Sequence, residues 1–91
     1  MNTIGINVIR LAISGNSLAI DRIAEATPDS FTGFKIDWKS YSCYPYVFTY
    51  EPCVDFYRLT EQFISACYLF RSGDISERLF KKKGQRLLEC Y

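Results

Sequence analysis

The chain of 91 residues predicts a small α+β domain, and three observations carry that expectation. Apolar residues recur at three- and four-residue steps through FYRLTEQFISACYLF, residues 56–70, the period of an amphipathic helix. They alternate at every second position in GFKIDWK (33–39) and YPYVFTY (44–50), the period of a strand with one wet face. Ser-Gly followed by Asn or Asp stands at Ser14-Gly15 and again at Ser72-Gly73, where one helix would stop and another begin. The expected order is a helical pair, an antiparallel β-hairpin (about 33–50), a long central helix (about 53–71) and a short basic C-terminal helix. The length suits a single domain over residues 1–91, since one hydrophobic core commonly serves about 50–200 residues.

Each element has its own local reason. In TIGINVIRLAISG, Ile4, Ile6 and Val8 alternate as in a strand, but the crowding of Ile9, Leu11, Ala12 and Ile13 fits a buried helix. Thr3 offers an N-cap and Ser14-Gly15 a stop, which favours helix. Ser17 is the expected cap of the second helix, with Leu18, Ile20, Ile23 and Ala24 facing inward. Thr27-Pro28 ends it, because the residue before a proline is pushed out of the α region. In the hairpin, pairing Lys39 with Pro45 collects Phe34, Ile36, Trp38, Tyr46, Phe48 and Tyr50 on one face and buries the most apolar area. Pairing Lys39 with Tyr44 instead leaves a tyrosine face outside. Pro52 suits the first turn of the central helix, whose stripe is Phe56, Leu59, Phe63, Cys67 and Phe70, widened by Tyr57, Ile64 and Tyr68. Asp74 and Glu77 form an Asp-x-x-Glu capping pattern that starts the last helix near Ile75, and Gly84 ends or bends it. The stretches INVIRLAISGNS and SACYLFRSGDIS echo one another, each an apolar helix, a Ser-Gly stop and a new start.

Composition removes function classes more readily than it adds them. The sequence has no histidine, which excludes Ser-His-Asp and Cys-His catalysis and histidine-ligated metals. Cys43, Cys53, Cys67 and Cys90 lack the close pairing of a structural zinc site. Cys53, near a helix start, is the best placed for reactivity, and Cys67, in an apolar stripe, the worst. The glycines are isolated, so no phosphate-cradling loop can be drawn through them. No cofactor, no metal and no enzymatic activity are therefore expected. The run from Ile4 to Ile13 is broken by Arg10 and lacks a signal-peptide layout, and nothing approaches the ~20 apolar residues of a membrane span. A cytoplasmic protein with reduced cysteines is the expectation.

The net charge of +1 hides an uneven distribution, with seven basic and four acidic side chains in residues 58–91. On a helix Arg78, Lys82 and Arg86 share one face at four-residue steps, opposite Leu79 and Leu87. Ten of the fifteen aromatic residues fall between Phe31 and Tyr57, and tyrosine at a sheet margin suits a protein interface. The expected function is non-enzymatic recognition of another protein carrying an acidic patch, in the manner of a small inhibitor, immunity protein, antitoxin or adaptor, by a monomer or homodimer. Tyr44, Tyr46 and Tyr50 would be the aromatic anchors and Arg78, Lys82 and Arg86 the electrostatic contacts. The alternative is a single-stranded nucleic-acid or RNA binder using the same residues, since bases stack on aromatic rings and phosphates seek cations.

Overall fold

The computed structural model describes residues 3–33 and 54–91. These residues form helices α1 (Ile6–Ile13) and α2 (Ser17–Ala24), a short 3-10 turn (Pro28–Ser30), and helices α3 (Val54–Arg71) and α4 (Glu77–Leu88). The α+β expectation is corrected: the described residues are helical, with no strand among them, and their extended pairing amounts to one isolated parallel bridge between Ile4 and Phe31. Apart from Gly33, the β-hairpin expected at about 33–50 lies outside the described residues, as do Tyr44, Tyr46, Tyr50, Cys43 and Cys53. Helices supply most of the described core, and Ile4 and Phe31 of the bridge add to it. α1 packs on α2, α2 on α3, α3 on α4, and α4 returns to α1. Ile9, Ile20, Ile23, Phe56, Phe63, Phe80 and Leu87 from these four helices are buried in one cluster.

Both readings of the first segment are partly realised. Ile4 is extended, its N–H donating to the Ser30 carbonyl at 2.7 Å while its own carbonyl accepts from the Thr32 N–H at 2.9 Å. The helix begins only at Ile6, and its N-cap position is Gly5, not Thr3. The bridge satisfies backbone groups that would be orphaned beside the buried Ile4 side chain.

The Ser-Gly stops work by the same geometry twice. At the end of α1 the Gly15 N–H donates to the Ala12 carbonyl and the Asn16 N–H to the Leu11 carbonyl, both at 3.0 Å. At the end of α3 the Gly73 N–H donates to Phe70 at 3.1 Å and the Asp74 N–H to Leu69 at 2.8 Å. Each is a Schellman motif, which needs a left-handed residue, and Gly15 and Gly73 supply it with φ of 97° and 77°. The next helix starts differently in the two cases. Asn16, not Ser17, caps α2, its Oδ1 accepting from the Ala19 N–H at 3.0 Å. Ala19, Ile20 and Ile23 face inward, and Leu18, about 200° around the helix from Ile20, is left 78% exposed, against the expectation that Leu18 is core. After Gly73 two further residues intervene, and Ser76 caps α4 by accepting from the Leu79 N–H at 3.2 Å. The expected Asp74–Glu77 cap does not form, because the Asp74 backbone closes α3 and lies before the turn that α4 needs.

α3 follows its predicted bounds closely and buries Phe56, Phe63, Ala66 and Cys67, with Thr60 between them. The Thr60 hydroxyl is accommodated by donating to the Tyr57 carbonyl one turn back at 2.8 Å. Tyr57 and Tyr68, expected to widen the buried stripe, are exposed. Tyr68 instead lies under the Arg71 guanidinium at 5.4 Å, and Arg71 reaches Asp21 of α2 at 3.5 Å and Glu25, the residue that caps its end, at 3.7 Å. α4 does not end at Gly84. It continues to Leu88, and Gly84 is buried close against Ile13 and Phe63.

Burial of Cys67 has a consequence for pH. Desolvation pushes its thiol up to about 12 from a model-compound value of 9.0. The unfolded chain therefore loses this proton first, and the stability held by the neutral buried thiol declines as pH rises from about 9 toward 12. We expect urea midpoints to fall over that range and Cys67→Ala to flatten the fall. Native Cys67 should also resist thiol labelling that proceeds readily in denaturant. Fast native labelling, or an unchanged alkaline slope in the variant, would contradict the burial described here.

Candidate functional site

The exposed side of α4 is set by what its other side buries. Phe80, Gly84 and Leu87, at steps of four and three, face the core. Phe80 stacks on Phe63 with ring centroids 5.7 Å apart and on Phe70 at 4.4 Å. Arg78, Lys82 and Arg86 project from the opposite face and are all exposed, as their spacing predicts. Glu77, the acidic residue in the first turn of α4, is engaged by Lys81 at 3.1 Å along a different flank. No ion pair of Arg78, Lys82, Lys83 or Arg86 forms among the described residues. Tyr44, Tyr46 and Tyr50 lie outside the described residues.

A groove beside this stripe was not anticipated. α3 contributes Arg58, Glu61, Gln62, Ser65, Ala66 and Leu69, while Leu79 and Lys83 of α4 and Ile75 of the connection form the other wall. Its volume is about 460 Å³ and its mouth is open to solvent. Leu69 is 37% and Leu79 42% exposed, so the groove presents apolar surface to water. The expectation that Leu79 shares the inward face with Leu87 is corrected for Leu79. Successive helical residues are separated by about 100°, and with the buried face centred on Phe80, Gly84 and Leu87, Leu79 falls on the flank between core and stripe. Treating Gly84 as a core-facing contact position, not a stop, would have revealed this from sequence.

Cys67, the free thiol of the described core, is buried and held neutral. Among the described residues no three His, Cys, Asp or Glu side chains gather as a metal site requires. Among them also, no helix is long and apolar enough to cross a membrane. Comparison with protein-family models, with curated proteins and with solved structures finds no match.

Proposed function

We propose that this protein is a non-enzymatic protein-binding domain whose α4 face receives an acidic surface of another protein, in the manner of a small inhibitor, immunity protein, antitoxin or adaptor. The observation that carries the reading is the exposed stripe of Arg78, Lys82 and Arg86, unneutralised by described neighbours and continuous with apolar surface at Leu79 and Leu69. Cations give an encounter its rate and orientation, while apolar area excluded from water gives it lifetime. A cytoplasmic location accords with the unpaired thiol of Cys67.

Affinity capture from the source cells tests the reading, run with the wild-type protein and with Arg78→Glu, Lys82→Glu and Arg86→Glu combined. A protein retained by the first and lost with the second is the expected result. Capture that is indifferent to the charge reversal would refute it. Titration with single-stranded oligonucleotides at low and moderate salt separates the nucleic-acid alternative, whose affinity would fall steeply as salt rises. Appreciable oligonucleotide binding at moderate salt would favour that alternative.

A further inference from the structure

We infer that the groove between α3 and α4 is a seat for an amphipathic helix of the partner protein, one with an apolar stripe flanked by Asp or Glu. This rests on the protein-binding reading and specifies its ligand. Apart from Ile75 of the connection, the described lining lies on helices, whose backbone N–H and C=O groups are engaged within each helix and offer no strand edge to an extended peptide. A helical occupant needs no such edge, because it satisfies its own backbone. The dimensions agree. From Arg58 to Leu69 the α3 wall runs about 16 Å, or three turns, at the usual rise per residue.

The chemistry of the lining sets the character of that helix. Ala66, Leu69, Ile75 and Leu79 form an apolar strip that would meet side chains at i, i+3 or i+4, and i+7. The α4 rim is cationic, with Lys83 in the groove and Lys82 and Arg86 on the adjoining exposed surface. Among the described lining residues the α3 side carries one carboxylate, Glu61, and one cation, Arg58. A helix with carboxylates along the edge that meets α4 is complementary, and a basic one would be repelled.

Selection of displayed random peptides on the wild-type protein, followed by affinity measurement, tests the proposal. Enriched peptides should share an apolar helical stripe flanked by Asp or Glu. Ser65→Trp, which fills the groove from an exposed position without removing core, should weaken them at least about tenfold, as should Leu79→Asp. Circular dichroism confirms that both variants are folded, and Ser65→Trp serves alone if Leu79→Asp is not. Enrichment of extended or basic peptides, affinity unchanged by Ser65→Trp, or no enrichment would overturn the helix-in-groove proposal. So would a concentration-dependent dimer in sedimentation that Ser65→Trp abolishes, since the groove would then belong to a second copy. If the charge-reversed stripe loses a captured partner while Ser65→Trp retains it, protein binding stands and the groove proposal falls. If capture ignores the stripe, the functional reading itself falls.

Discussion

Replacing Phe80 with alanine is expected to lower folding stability by about 4 kcal/mol, within the range for truncating a fully buried phenylalanine. Phe80 has no exposed surface and its ring lies against Phe63 and Phe70, so its removal leaves a void where α3 and α4 meet. Neither neighbour can easily fill the space: Phe63 is itself fully buried, and both rings are anchored on the same helix. Small domains are stable by about 5–15 kcal/mol, so this one change removes a large fraction of the total. Urea unfolding should show a lower midpoint with an unchanged slope. A loss below about 1 kcal/mol would mean that the stack is not the joint between α3 and α4.

Gly84→Leu is expected to be comparably damaging, at about 3 kcal/mol or more. In a helix interior, glycine to alanine normally stabilises by about 1 kcal/mol. Here a Cβ on residue 84 would lie 2.5 and 2.7 Å from Cγ1 and Cδ1 of Ile13 and 3.0 Å from Cε1 of Phe63. Ile13 is only partly buried and can yield, whereas Phe63 is held by the core. Gly84→Ala should therefore lose about 1 kcal/mol where propensity alone predicts a gain, and the leucine variant should push α4 away from α1. A stabilising Gly84→Ala would refute the close approach. Either variant, where folded, should keep its basic stripe, so binding losses should track the folded fraction.

These two residues also show what the sequence reveals and what it conceals. The recurrence of Phe56, Phe63 and Phe70 places α3 and its inward face, because a three-and-four-residue repeat has only one helical solution. The two Ser-Gly stops were likewise readable, since a left-handed residue is required there and glycine meets that need. Capping was less legible. Asn16 and Ser17 are both good N-caps, so local preference did not choose between them. The α+β class rested on alternation in residues 33–50, whereas the described core is built from four helices together with Ile4 and Phe31 of the isolated bridge.

For the candidate site, the spacing of Arg78, Lys82 and Arg86 was sufficient, because i, i+4 positions on a helix must share a face. The groove was not legible, because Leu69 and Leu79 meet across two helices whose separation depends on how Phe80 and Gly84 pack. A helical wheel of either helix alone shows a leucine on the flank of a stripe, which is unremarkable. Only their juxtaposition makes an apolar surface beside a cationic one.

The most direct test of the central claim, that the outward face of α4 and its groove are where another protein binds, is an NMR titration of amide shifts. The ligand is the protein recovered by capture, or the tightest selected peptide. The largest shifts should cluster at Ser65, Leu69, Ile75, Leu79, Lys82, Lys83 and Arg86. Largest shifts on α1 and α2, with α4 silent at saturating ligand, would contradict it.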